Sequence, residues 1–292
     1  MDVICKSLCK IYPDGHQALK DVDLHIKEGL FGLLGPNGAG KTTFMEILTQ
    51  LLEPTSGKLL INGYDSRKKP KKIRPLLGYL PQFFGFFPEL TAREFLNYLG
   101  GLRGMHGRKL KHNIDELLAS VRLSEVAHKR LKTFSGGMLR RVGIAQALIN
   151  DPKLIVVDEP TAGLDPEERI HFRNLLFELG QNRIVILSTH IVKDIEETCS
   201  KLALLLNGRI RFHGSPSEFV KAAHEQTWEF YGDSDDVETF TGSKNLVSIR
   251  EDIKGICFRI ISPTPPKENA RNVAPNLEDA YIRFLNTDSQ AA

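Results

Sequence analysis

Long apolar runs are what this chain most lacks. None of its 292 residues lies in a stretch approaching the roughly 20 apolar residues that cross a bilayer, so no membrane-spanning helix is expected. Met1-Asp2-Val3-Ile4-Cys5-Lys6 has no apolar centre, so no secretory signal is expected either. Cysteine is scarce, and Cys5, Cys9, Cys199 and Cys257 are scattered without C-x-x-C spacing. That pattern disfavours a disulfide framework or a zinc site and suits reduced thiols in a cytosolic protein. Charge of one sign is in short supply too: the formal net charge of +3 is too small to imply nucleic-acid binding by itself. The single dense basic cluster, Arg67-Lys68-Lys69-Pro70-Lys71-Lys72 with Arg74, reads as a solvated surface loop. Contact with anionic headgroups or a partner is the alternative. The length suits one large domain or two ordinary ones.

Against these absences stands one strong motif. Residues 35–42, Gly-Pro-Asn-Gly-Ala-Gly-Lys-Thr, complete the pattern G-x-x-x-x-G-K-[ST]. Leu30-Phe31-Gly32-Leu33-Leu34 before it reads as a buried strand. Phe44, Ile47, Leu48 and Leu51 after it fall at helical spacing. Strand, glycine loop and helix together aim backbone N–H groups and the positive end of a helix dipole at phosphate oxygens. Lys41 is expected to reach the β- and γ-phosphates, and Thr42 to offer a hydroxyl to Mg²⁺. The implied ligand is a nucleoside triphosphate with Mg²⁺.

Leu154-Ile155-Val156-Val157-Asp158-Glu159 is a continuous apolar run closed by two carboxylates. Such a run suits a central parallel strand buried on both faces, and its carboxyl end is where an open α/β sheet places ligands. Asp158 is expected to hold Mg²⁺, and Glu159 to orient or deprotonate the attacking water. A second apolar strand, Ile184-Val185-Ile186-Leu187, runs into Ser188-Thr189-His190. From there His190 can donate to the γ-phosphate as charge develops on it. Ser135-Gly136-Gly137 precedes a helix marked by Leu139, Val142, Ala145 and Ile149 and repeats the logic of the first loop. One triphosphate does not need two cradles on one chain, so the spare one suggests a site shared between two chains.

Taken in order over residues 1–215, these motifs resemble the ATP-binding subunit of an ABC transporter. The resemblance places Tyr12 where the family stacks an aromatic on adenine. It makes Gly35, Pro36, Asn37, Gly38, Ala39, Gly40, Lys41, Thr42 and Thr43 the triphosphate cradle. Gln82 in Tyr79-Leu80-Pro81-Gln82 matches the family glutamine that joins the Mg²⁺ and hydrolysis machinery. Phe134-Ser135-Gly136-Gly137-Met138 matches the signature sequence, whose serine and glycines face the partner's nucleotide. Ala162-Gly163-Leu164-Asp165 resembles the D-loop, Glu159 the catalytic glutamate and His190 the switch histidine. Met138 stands where the family usually has glutamine, a lost contact costing about 1 kcal/mol.

The implied fold is α/β. A P-loop NTPase core with a parallel sheet carries an antiparallel β subdomain and an α-helical subdomain at about 83–150. A small α+β extension occupies 216–292. Within it Trp228 and Phe230, Val247 and Ile249, and Ile256, Phe258 and Ile260 alternate at period two. A Pro/Asn-rich linker leads to Asn276, which can cap a helix with Leu277, Tyr281, Phe284 and Leu285 on one face. Ile61-Asn62-Gly63-Tyr64 and Leu206-Asn207-Gly208-Arg209 are hairpin signals.

The resemblance further implies two cassettes, copies or relatives, closing on two ATP-Mg²⁺ and driving a separate integral-membrane permease from the cytoplasmic face. Nucleic acid is not expected as a partner. The tail resembles that of bacterial exporters whose permease is a second chain. Four phenylalanines in Phe83-Phe84-Gly85-Phe86-Phe87 form either plain core or an apolar groove for the permease. The rival class is a soluble ABC ATPase of translation or DNA repair. A single cassette without a long heptad insertion speaks against it, and Glu159 with His190 speaks against an ATP-bound scaffold without turnover.

Overall fold

The computed structural model of the chain describes residues 1–290. The last two residues of the expected extension lie outside the described residues. Strands β1 (Asp2–Ile11), β2 (Gln17–Lys27), β4 (Ser56–Ile61) and β5 (Tyr64–Asp65) form an antiparallel sheet in the order β2-β1-β4-β5. The larger sheet runs β10-β9-β3-β8-β7-β6, built from β3 (Gly29–Leu34), β6 (Leu77–Leu80), β7 (Leu154–Asp158), β8 (Ile184–Thr189), β9 (Lys201–Leu206) and β10 (Arg209–Gly214). Its first five strands in chain order are mutually parallel, and only β10 returns antiparallel. Asn207 and Gly208 make that return at φ 48° and 79°, and Asn62 and Gly63 join β4 to β5 at 51° and 72°. Both turns need two left-handed residues, which Asn-Gly supplies at little cost.

Strands β7 and β8 are buried along their whole length, as expected of a sheet covered on both faces. Alternate residues enter different cores. Leu30, Leu34, Ile155, Val157, Val185 and Leu187 point into one, with the helices. Phe31, Leu33, Leu154, Val156, Ile184 and Ile186 point into the other, with the small sheet and helix α1 (Lys41–Leu48). Leu51 departs from its expected place on α1. The helix stops at Leu48, Gln50 takes φ 60°, and Leu51 is 67% exposed. A non-glycine residue in the left-handed region cannot continue a helix.

The short helix α2 (Pro70–Ile73) carries part of the basic cluster, whose Lys69 and Lys72 ammonium groups sit over the Tyr64 ring. The helical segment comprises α3 (Ala92–Leu102), opened by a Thr91–Glu94 capping box, α4 (Gly107–Ser120) and α5 (Gly136–Leu148). Helices α6 (Pro166–Gly180), α7 (Val192–Thr198) and α8 (Pro216–Lys221) follow. All four cysteines are free and buried, and burial, with Asp23 beside one and Asp194 beside the other, pushes the Cys5 and Cys199 thiols up to about 12.

Beyond α8 a second antiparallel sheet runs β12-β13-β11-β14, from β11 (Thr227–Gly232), β12 (Leu246–Asp252), β13 (Gly255–Ile261) and the two-residue β14 (Arg271–Asn272). The period-two reading found the first three. It missed β14 because two residues carry no period. Helix α9 (Ser234–Phe240) closes a small core on Phe230 and Phe258. The last helix, α10 (Leu277–Gln290), starts at Asn276, whose Oδ1 accepts from the Asp279 N–H at 3.0 Å. It turns back to the cassette: Leu277 and Ala280 are buried in the helical-side core, and Phe284 stacks on Phe219 of α8. Arg259 clamps α10 to the sheet. Its Nη2 donates to the fully buried Asp279 at 2.6 Å and its Nη1 to Glu229 at 2.8 Å. Removing one partner of a buried pair strands the other charge. Arg259→Leu is therefore expected to destabilise the chain by about 3 kcal/mol in urea unfolding, and an unchanged midpoint would show the clamp idle.

Candidate active site

The site sits at the carboxyl ends of β3, β7 and β8, and register puts them level. Leu34 pairs with Thr189, and Asp158 with Ser188. The chain leaves β3 through Gly35, whose N–H donates to the Thr189 carbonyl at 3.3 Å. A side chain at Gly35 would meet the Leu205 carbonyl oxygen at 2.4 Å, so only glycine lets the loop pass. Gly40 is doubly constrained, at φ 103° with the Ala18 carbonyl 2.5 Å from any added Cβ. Helix α1 opens at once with Lys41, so its free N–H groups and positive dipole end face the cleft.

That cleft, of about 410 Å³, is lined by Asn37, Gly38, Gly40, Lys41, Thr42 and Thr43, with His16, Ala18, Gln82 and Glu159. Lys41 is 5% exposed. Its Nζ donates to the Gly35 and Pro36 carbonyls at 2.8 and 3.1 Å and lies 3.2 Å from Glu159 Oε1. His190 Nδ1 approaches the same oxygen at 3.2 Å, and Gln82 Nε2 donates to Oε2 at 3.3 Å. Four expected site residues, distant in sequence, thus meet at one carboxylate. Burial works to raise the Glu159 carboxyl. The His190 hydrogen bond, then Lys41, outweigh it and hold the group below the ordinary carboxylate range.

Glu159 also has φ 45°, a left-handed conformation for a non-glycine residue. Its N–H is shared between Ser188 Oγ at 3.0 Å and the Ser188 carbonyl at 3.2 Å. Ser188 Oγ in turn donates to Asp158 Oδ1. Ser188 escaped the sequence reading because a serine beside a switch histidine has no distinguishing pattern. His16 escaped too. It stacks on the Tyr12 ring at 6.3 Å, while the Tyr12 hydroxyl pairs with Thr43 Oγ1 at 3.1 Å. The Tyr12 N–H to His16 carbonyl bond closes this turn at 2.9 Å, a contact with no sequence pattern to announce it.

Asp158 is fully buried, and its Oδ2 has no hydrogen-bond partner. A buried carboxylate oxygen without a donor is costly unless a cation completes it. A carboxylate oxygen and a hydroxyl such as that of Thr42 are both hard oxygen donors, the chemistry Mg²⁺ takes beside substrate phosphates. No group of three or more His, Cys, Asp or Glu able to hold a metal occurs among the described residues. Ala39 contributes backbone alone, because its methyl is buried in the core.

Ser135, Gly136, Gly137 and Asp165 do not line this cleft. Ser135 caps α5 by accepting from the Met138 N–H at 3.2 Å, and Asp165 caps α6 by accepting from the Glu168 N–H at 2.8 Å. Gly137 lies against Glu168, where an added Cβ would come within 2.7 Å. Glu168 pairs with Arg141, tying the two helix starts together. The Met138 side chain packs against the helical-side core.

The description of the ABC transporter family matches residues 19–162. The uncharacterized ABC transporter ATP-binding protein YxlF of Bacillus subtilis is 43% identical over 214 residues, covering 73% of this chain and 70% of that one. This chain belongs to the ABC transporter ATP-binding family. The cassette is also 42% identical over 279 residues to the Nod factor export ATP-binding protein I of Rhizobium sp. strain N33, covering 89% of both. Among solved structures, a dimeric ATP-binding cassette in a post-hydrolysis state with ADP and Pi is 29% identical at TM-score 0.66, covering 73% of this cassette and 98% of that chain. The cassette is therefore an ATP-binding ATPase of the P-loop fold. Lys41→Ala is expected to weaken ATP binding by about 10–100-fold, on the scale of a charged hydrogen bond lost in a desolvated site. Titration with a fluorescent ATP analogue reads this out, and an unchanged Kd would move the phosphates elsewhere.

Proposed function

We propose that this cassette hydrolyses ATP within a head-to-tail pair of cassettes and thereby drives a separate permease in the direction of export. The observation that carries the chemistry is the convergence of Lys41, His190 and Gln82 on the Glu159 carboxylate. Glu159 is kept ionised and so accepts a proton from water as the water attacks the γ-phosphate. Lys41 and the α1 N-terminus bind the β- and γ-phosphates, and His190 donates to the γ-phosphate. Gln82, just ahead of the helical segment in the chain, touches the base through its Nε2 and so senses the reacting end of the site. When bound by Thr42, Asp158 and Gln82, Mg²⁺ supplies neutralisation of phosphate charge. Tyr12 and its stacked neighbour His16 supply the flat face for adenine.

Ser135, Gly136, Gly137 and Asp165 act on the partner's nucleotide. The dimeric structural relative supports this. Since a ligand shifts an equilibrium only through differential affinity, ATP closes the pair by binding the closed state better. Export is supported by the Nod factor export ATP-binding protein I of Cupriavidus metallidurans, 32% identical over 96% of this chain and 95% of that one, tail included. A cassette of the cbiONQ transporter complex, 25% identical at TM-score 0.68 and covering 82% of this chain and 94% of that one, supports a membrane partner. No helix among the described residues is long and apolar enough to cross a membrane, so the cytoplasmic-face location comes through that partner. The phenylalanine segment divides its labour: Phe84 and Phe86 pack on the core, whereas Phe83 is 85% and Phe87 51% exposed. The exposed pair forms the permease contact.

Glu159→Gln is expected to cut turnover by about 10²–10⁴ and to leave an ATP-bound dimer visible by light scattering. Normal turnover would end the assignment. His190→Ala removes the largest contribution opposing burial, so Glu159 titrates higher and the acidic limb of the kcat profile moves up in pH. A limb that stays put would uncouple the two groups. Phe83→Glu with Phe87→Glu should release the co-purified permease while ATP binding persists, and retention of the permease would place the contact elsewhere.

A further inference from the structure

Asp194 lies in the first turn of α7, four residues after His190, and is fully buried. Its Oδ2 accepts from Thr161 Oγ1 at 2.5 Å and from Thr189 Oγ1 at 3.4 Å. Its Oδ1 has no hydrogen bond, with only the Arg173 guanidinium at 4.0 Å, and that group is itself paired with Glu197. A fully buried carboxyl with one oxygen lacking a hydrogen bond is harder to bury than an apolar group of the same shape, which directs attention to what its other oxygen holds.

The two hydroxyls it holds belong to the two segments that must meet for hydrolysis. Thr161 is 1% exposed and follows Glu159 by two residues. Its carbonyl accepts from the Leu164 N–H at 3.2 Å, rooting the turn that leads to Asp165. Thr189 ends β8, and its hydroxyl accepts from the Ile191 N–H at 2.9 Å, shaping the turn that presents His190. Glu159 needs such support, since its φ of 45° persists only where surrounding structure over-determines it. Ser188 grips its backbone from one side. The Thr161–Asp194 bond holds the chain on the other.

We propose that Asp194, acting through Thr161 and Thr189, is a positioning residue for ATP hydrolysis that sets Glu159 and His190 at their 3.2 Å separation. Asp194 itself touches neither nucleotide nor water. The proposal rests on the reading of Glu159 as the base.

The test uses the full chain, co-purified with any membrane partner, and compares Thr161→Val, Thr161→Ser, Asp194→Asn, the Thr161→Val/Asp194→Asn double variant and Glu159→Gln. Thr161→Val keeps the shape and deletes the hydroxyl. It is expected to lower kcat by about 10–100-fold, the scale of a reacting group misplaced by a fraction of an ångström to an ångström. KM and the Kd for a fluorescent ATP analogue should stay within about threefold. Thr161→Ser restores the donor and should return kcat to within about threefold of wild type. The double variant should fall no further than Asp194→Asn alone, because the Thr161 bond is one of those the Asp194 substitution already disturbs. Thr161→Val with wild-type kcat overturns the proposal, provided Glu159→Gln is inactive. So do additive losses in the double variant, or equal losses of kcat and melting temperature in the valine and serine variants. Glu159→Gln at normal turnover would instead remove the base assignment on which the proposal stands.

Discussion

Register in the central sheet is the constraint on which the rest depends. Because the sheet is buried on both faces, a slip of one residue along β7 or β8 would exchange the side chains of two different cores. The alternation of Ile155 and Val157 against Leu154 and Val156 forbids that exchange. With register locked, Asp158 stands beside Ser188 and Leu34 beside Thr189. The phosphate loop, the two acids and His190 therefore leave the sheet at one level. Chemistry that needs close placement is hung on the ends of fully buried strands.

Electrostatics then sorts the two neighbouring carboxylates into different tasks. Asp158 is sealed against Ser188 with one oxygen left without a hydrogen-bond partner, which suits the proposed cation ligand. Glu159 is reached by Lys41, His190 and Gln82, and their combined effect overrides its burial. Backbone geometry does the separating. The left-handed turn at Glu159 swings its side chain out of the strand line, into the cleft lined by the phosphate loop.

The tail is bound into the same framework through helices. α10 packs on α8 and shares the helical-side core with Ile195 and Cys199 of the α7 region, on the helix that carries Asp194. Arg259 holds α10 to the tail sheet. Whatever the tail does, it is mechanically continuous with the element beside the switch histidine.

The local grammar of this protein was legible from sequence, because local physics writes it. Gly35–Thr42 requires a tight loop before a helix, Leu154–Glu159 has the apolar continuity of a doubly covered strand, Asn-Gly turns accept positive φ, and Asn276 caps a helix. Motif order was enough to place the chain among ABC cassettes and to nominate Lys41, Asp158, Glu159 and His190. What the sequence could not show are pairings between residues far apart along it. Ser188 bridging two acids, His16 stacking on Tyr12, Arg259 reaching Asp279, and Asp194 joining Thr161 to Thr189 are polar contacts without periodicity. Leu51 shows the same limit in reverse: helical spacing placed it on α1, and a left-handed Gln50 turned it out to solvent. Periodicity records which face of an element is covered, whereas contacts between elements are decided only when close packing fixes them in three dimensions.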